Sequence, residues 1–381
     1  MNGDVIVSNI WFDLSPHTVI ACFPKVDCQP ASGYNSKYKN RVEARPYFGR
    51  KDNVWQLLLL HQTAFKYSLV SKLVTDMKKR WDIIGLGALT VDDLFYIDHY
   101  PRLNEKLPVK MTQRHGGGLA ATALVAAARQ GAKSAYCGRL GDDELSIYSL
   151  QELEREGVDT ALIQHWKGAK PYHSIILVEI PSGSRVILYN SEGVVEPDSS
   201  LVTEELIANT RVLFIDNTVY ESGVLAAIYA RAHGIPVVAD IESIDMPDLG
   251  KFLSLIDHLI VGIDAARNIT HKETVEEMVQ ELSKAQRAAS VVTDGVNGCW
   301  VSEYGKAIQH FPAYQVEVVD TTGCGDVFHG AYAAALVRGE SIGKSIQVAS
   351  ASAAIKATCF GGREGIPNLN KVEEFIKLNE R

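Results

Sequence analysis

The residues best able to do chemistry in this sequence are Gly323-Cys324-Gly325-Asp326. A polar, β-branched stretch from Val319 leads into them, and an Ala-rich run to Leu336 follows, with no proline and no glycine after Gly330. That order predicts a strand end, a tight turn and a buried helix. The two outer glycines let consecutive N–H groups point one way at the helix start. Unpaired donors and the positive end of the helix dipole attract an anion there. Asp326, on the first turn, is within reach of that anion. Amides holding a phosphoryl group beside a carboxylate that takes a hydroxyl proton would serve phosphoryl transfer. The turn suits an N-capped core helix equally well, with Asp326 merely answering the dipole.

Such residues act only if a scaffold brings strand ends together. Strands are predicted at Ile83–Gly87, Val212–Ile215, Pro236–Asp240, Leu255–Val261 and Ser290–Thr293. Helices are predicted at Ser146–Glu156, Gly223–His233, Val275–Ser283, Ile342–Thr358 and Asn368–Leu378. From Val212 onward strands and helices alternate, which implies parallel βαβ units with helices on both faces and ligands beyond the C-terminal strand ends. Asp92, Thr293 and Asp326 all follow such ends. Ser174–Glu179 and Arg185–Tyr189, joined by Pro181-Ser-Gly-Ser, read as a hairpin. Gly85-Leu-Gly87 lacks the third glycine of a dinucleotide fingerprint, and Gly339 to Ser345 has one residue too few for a P-loop.

The 381 residues are 46% hydrophobic and 22% charged, the make-up of a globular α/β chain with a sizeable core. A net charge of −8 argues against nucleic acid or an anionic membrane as partner. The charge is uneven: residues 1–80 hold 12 Lys/Arg against 6 Asp/Glu, the remainder 26 against 40. Cys22, Cys28, Cys137, Cys299, Cys324 and Cys359 show no metal-binding spacing and read as reduced thiols of a cytoplasmic protein. No secretory signal or membrane-spanning run is visible. Residues 1–76 lack clear periodicity until an amphipathic helix at Val54–Val74. Met77, followed by a basic run and a first strand, reads as a second natural start, which makes residues 1–76 an extension and 77–381 the functional domain.

Asp320-Thr-Thr-Gly-Cys-Gly-Asp326 resembles the DTxGAGD signature of the ribokinase/PfkB family of carbohydrate kinases, with Cys324 where alanine is usual. The glycines before the Ala-rich helix at Gly116–Gly131 and the Gly138 to Asp143 segment resemble that family's N-terminal half. The resemblance covers residues 77–381. It implies a three-layer α/β/α fold with a mostly parallel sheet, and a small β-sheet lid from strands near 93–114 and 174–190. It also implies ATP-dependent phosphorylation of a sugar hydroxyl, with Asp326 as base and Gly323, Cys324 and Gly325 as the anion hole. Asp92, Gly117, Gly118 and Thr122 fall at sugar-binding positions; Thr122 replaces the usual Asn. Thr293, Gly295 and Gly362 fall at nucleotide-binding positions. Mg²⁺ is expected. Gly262 and Ala265 occupy the places of an N-x-x-E motif that helps organise it, so its surroundings should differ. Asp320 falls at a monovalent cation (K⁺) site.

The motifs look closest to the sulfofructose kinase branch, in which Lys106 matches a sulfonate-pairing lysine. Tyr189 and Thr218 stand where the Asn and Arg of that pocket are expected. A neutral sugar or a sugar acid held partly by Lys106, Lys110 or Lys170 is therefore expected. The alternatives are a nucleoside kinase of the same fold and a sugar-binding regulator that has lost transfer. Free edges on a lid sheet favour a homodimer. His329 reads as a packed or substrate-edge residue, and the pairs Asp142-Asp143 and Glu276-Glu277 as solvated turn and helix residues.

Overall fold

The computed structural model describes the backbone of residues 12–15 and 18–21 and all of residues 79–379. The Val54–Val74 helix, the start at Met77, and the side chains of Cys22 and Cys28 lie outside the described residues. The chain forms two compact units, Met1–Thr75 and Asp76–Arg381. In the first, β1 (Phe12–Ser15) and β2 (Thr18–Ala21) pair antiparallel.

The second unit is built on an eight-stranded sheet. Its strands, in spatial order, are β16 (Gln309–Phe311), β15 (Cys299–Glu303), β14 (Ala289–Thr293), β13 (His258–Gly262), β12 (Val237–Asp240), β11 (Thr210–Asp216), β3 (Trp81–Leu86) and β6 (Ser134–Tyr136). The six from β14 to β6 run parallel, and β15 and β16 add an antiparallel edge. Successive side chains on a strand face opposite sides, and the packing follows that alternation. Ile83, Val212, Phe214 and Val238 enter one core, while Ile84, Leu213, Ile215 and Ala239 enter the other. The first core is closed by α1 (Leu119–Arg129), α8 (Cys324–Val337), α9 (Ile342–Ala357) and α10 (Leu369–Asn379). The second is closed by helices that include α4 (Glu221–Ala232), α5 (Leu249–Ser254), α6 (Ile263–Thr270) and α7 (Val275–Ser283). The result is three layers, with small residues where helices cross. A Cβ at Gly330 on α8 would lie 2.0 Å from the Ala123 carbonyl oxygen on α1, so only glycine permits that approach.

A second, four-stranded sheet has the order β10 (Arg185–Asn190), β9 (Tyr172–Glu179), β4 (Thr90–Ile97), β5 (Met111–Gly117). The β9–β10 hairpin is antiparallel, and β9 runs parallel to β4. The remaining described helices are α2 (Glu144–Arg155) and α3 (Glu204–Ala208). Asp143 caps α2 by accepting from the Leu145 and Ser146 N–H groups, and Glu277 completes a capping box with Thr274 on α7. Both residues thus serve helix ends.

One expectation changes. The stretch before Gly323 is not a strand. The Val319 and Asp320 N–H groups donate to the Ala357 carbonyl at the end of α9, and Val318 is exposed. Residues 111–117 form β5, which overlaps the lid strands expected near 93–114. The segment after Tyr136 forms β7 (Gly138–Leu140), paired parallel with β8 (Ile163–His165).

Candidate active site

The glycine corner holds the predicted form. Gly323 caps α8 with a left-handed backbone (φ 77°), and a Cβ there would sit 2.5 Å from the Gly362 carbonyl oxygen. An L side chain at 323 would therefore be strained twice. A Cβ at Gly325 would meet nothing within 4 Å. The Cys324 N–H donates to the Thr321 carbonyl at 3.2 Å. The Gly323, Gly325 and Asp326 N–H groups have no hydrogen-bond partner among the described residues. Cys324 therefore shapes the turn, and its neighbours carry the open donors. Its Sγ lies 3.6 Å from the Ala353 carbonyl oxygen, and burial pushes the thiol up to about 11, so it is no thiolate.

Below the corner, carboxylates converge from separate elements. Ligand oxygens of Asp240 (end of β12), Glu242 and Asp326 all lie within 4.8 Å of one another. Burial, then the charges of Asp240 and Glu242, hold the Asp326 carboxyl well above the usual carboxylate range; His329 opposes this and Asp92 adds to it. His329, three residues after Asp326 on α8, is 4% exposed. Its Nδ1 lies 2.7 Å from the Gly325 carbonyl oxygen and 3.3 Å from Asp240 Oδ2, while its Nε2 lies 3.1 Å from the Ile260 carbonyl oxygen. Hard oxygen donors in such a group suit a divalent cation such as Mg²⁺. Gly262 caps α6, and Ala265 is packed in the core. Asp240 pairs with Ile260 in the last register position of β12, and Glu242 follows two residues beyond it.

Asp92 is not beyond a strand of the large sheet. It lies within β4 of the small sheet, 8% exposed, and its Oδ1 accepts from Thr90 Oγ1 at 2.7 Å. A Cβ at Gly117 would lie 1.9 Å from its Oδ2, so that glycine makes room for the carboxylate. Gly118 caps α1 with φ 97°. The Thr122 hydroxyl is buried and accepts from Arg363 Nε at 3.2 Å, while Arg363 Nη2 donates to the Gly117 carbonyl at 2.9 Å. Asp216, fully buried at the end of β11, accepts from the Ala88 and Ala120 N–H groups at 2.7 and 3.1 Å. It thereby ties the loop before β4 to the start of α1. Lys106 is exposed on the β4–β5 loop, and Lys110 pairs with Asp98 at 2.8 Å.

On the other side of the corner lies a cavity of about 300 Å³, lined by Thr293, Gly295, Val296, Cys324, Gly325 and Phe328 among others. Thr293 is the last residue of β14, with Oγ1 3.4 Å from the Val261 carbonyl oxygen. Gly362 backs Gly323 instead of lining this cavity. The small sheet reaches the same corner, because Arg185 on β10 donates to Thr321 Oγ1 at 2.7 Å. Asp320, 1% exposed, accepts through its carboxylate from the Thr322 N–H (2.8 Å), the Gly361 N–H (2.9 Å) and Tyr96 OH (3.4 Å). Its carbonyl accepts from Lys356 Nζ at 2.9 Å.

Sequence reasoning missed Asp216, Asp240, Glu242, Arg363 and Lys356. The first three carry no spacing signal. Arg363 and Lys356 left one: a basic residue inside a Gly- or Ala-rich buried stretch.

The chain resembles known proteins over this whole unit. A ribokinase of Bacillus subtilis is 27% identical over 302 residues, covering 77% of this chain and 99% of that protein. The 5-dehydro-2-deoxygluconokinase of the same organism is 24% identical over 330 residues, covering 80% and 99%. Among solved structures, a putative ribokinase from Agrobacterium tumefaciens superposes with a TM-score of 0.73 at 29% identity, covering 79% of this chain and 99% of that one. Ribokinase from Arabidopsis thaliana, complexed with ribose and ATP, gives 0.68 at 22% identity, covering 78% and 99%. The family model described as pfkB family carbohydrate kinase matches residues 88–369, and this chain therefore belongs to that family of carbohydrate kinases.

Proposed function

We propose that residues 77–381 transfer the γ-phosphoryl group of ATP to a hydroxyl of a small sugar. The observation that carries this reading is the corner itself: open Gly323, Gly325 and Asp326 N–H groups beside a cavity of about 300 Å³, with Asp92 close enough for its charge to act on Asp326. ATP occupies the apolar cavity past Thr293 and Gly295, with its terminal phosphate at the corner. Asp92 accepts hydrogen bonds from sugar hydroxyls and orients the ring. The attacking oxygen forms a bond to the γ-phosphorus while the bond to the bridging β–γ oxygen breaks. Its proton passes to Asp326, and ADP and the sugar phosphate leave. A loose transition state lets that proton depart late, so a carboxylate suffices as base. The open amides stabilise the transferring group.

Asp240 and Glu242 are the residues that would hold Mg²⁺ beside the phosphates. The ion would neutralise phosphate charge. The small sheet, tied to the corner by Arg185, keeps water out while transfer proceeds. The Asp92 and Asp326 carboxylates on the sugar side support an uncharged polyhydroxylated substrate over a sugar acid. Strand β10 exposes Val186, Ile187, Leu188 and Tyr189, so a second copy pairing lid to lid would cover them.

An ADP-release screen over pentoses, hexoses, sugar phosphates, sulfosugars and nucleosides tests the reading. Turnover is expected with an uncharged pentose or hexose. Turnover with nucleosides alone would replace it by a nucleoside kinase, and sugar binding without ADP release by a regulator.

A further inference from the structure

Lys356 lies on the last turn of α9 and is 0% exposed. An ammonium taken out of water persists only where its charge is used. Its Nζ has three donors, and the hydrogen bond found for it among the described residues is the one to the Asp320 carbonyl at 2.9 Å. Asp320 begins the turn that ends in the open amides of Gly323, Gly325 and Asp326. The same turn is clamped to α9 by the Val319 and Asp320 N–H groups, which donate to the carbonyl of Ala357, the next residue after the lysine. Burial draws the ammonium below the ordinary lysine range, while Cys324 and Asp320 hold it up.

The family resemblance puts a monovalent cation beside Asp320, and the residues present do not fit one. The Asp320 main-chain carbonyl accepts from the Lys356 ammonium, which brings a fixed positive charge to the place where the ion would sit. The Asp320 carboxylate already accepts from two N–H groups and Tyr96, three of its roughly four lone-pair positions. An added cation would also have to share a buried site with an ammonium.

We propose that the Lys356 side chain is a built-in replacement for the monovalent cation, holding the Asp320–Gly325 turn in its anion-binding shape so that the protein needs no K⁺. Lys356 is thus a positioning residue. The turnover arm of its test rests on the proposed function, and the nucleotide-binding arm does not.

ADP affinity by calorimetry and initial rates with the sugar found in the screen are measured in KCl and in tetramethylammonium chloride at equal ionic strength. The wild-type chain should give the same values in both salts; stimulation of either quantity by K⁺ overturns the proposal. Lys356→Met, kept at temperatures where its melt shows it folded, should weaken ADP binding and slow turnover by about 10- to 100-fold, the weight of a lost charged hydrogen bond. K⁺ or NH₄⁺ should restore part of that loss. An unimpaired variant, or an impaired one that neither ion improves, also overturns it. If the variant does not fold, the wild-type salt comparison still decides. A chain that binds ADP without K⁺ yet phosphorylates no sugar defeats the proposed reaction and leaves the lysine assignment standing.

Discussion

Gly323 and Gly325 flank one turn, and replacing each by alanine should have opposite effects on stability and the same effect on turnover. At Gly325 the new methyl meets no atom within 4 Å, and a helical Gly→Ala change favours folding by roughly 0.5–1 kcal/mol. The melting temperature should hold or rise by about 2 °C per kcal/mol for a domain this large. That methyl nevertheless projects where the terminal phosphate must approach the amides. A displaced anion-hole donor costs about 100- to 1,000-fold in kcat, so Gly325→Ala should lose kcat/KM on that scale. At Gly323 the left-handed backbone (φ 77°) costs roughly 1–2 kcal/mol with a side chain. Contact with the Gly362 carbonyl at 2.5 Å adds overpacking strain of about 1–3 kcal/mol. Gly323→Ala should therefore melt about 4–10 °C lower and also lose turnover. Thermal melts and ADP-release kinetics on the two variants decide the matter. A Gly325→Ala protein with wild-type kcat/KM would mean that no phosphate approaches this corner, and an unchanged Gly323→Ala melt would mean that the turn is shaped otherwise.

Two further predictions concern charge. His329→Asn removes the side chain that lowers the Asp326 carboxyl; Asp326, as the proposed base, must be ionised, so the acid limb of the kcat–pH profile should move to higher pH, whereas a purely structural loss would lower the profile without moving it. Glu242→Gln should raise the Mg²⁺ concentration for half-maximal rate by about 10- to 100-fold while leaving the sugar KM unchanged, read from a Mg²⁺ titration at saturating ATP.

The corner and the three layers were legible in the sequence because each rests on local signals. Glycines mark the turn, an Ala-rich run marks a buried helix, and apolar segments of strand length alternate with amphipathic ones. Asp240 and Glu242 were not, because they meet Asp326 only through the parallel register of β12 and β13 and the angle at which α8 leaves the turn. The segment before Gly323 shows the same limit from the other side. Its β-branched residues suggest a strand, but its N–H groups find the end of α9 before they find a neighbouring strand. Asp92 was recognised by type and motif, yet its place within the lid sheet depends on how β4 crosses from one sheet to the other. Thr122 shows how an altered position is absorbed. The hydroxyl that replaces the usual amide binds Arg363, whose Nη1 stays buried without a partner among the described residues.

The most direct test of the account is the turnover of Asp326→Asn. Its kcat should fall by about 100- to 10,000-fold, the range of a lost general base, with the melt and the ADP affinity close to wild type. Turnover near the wild-type rate would contradict it.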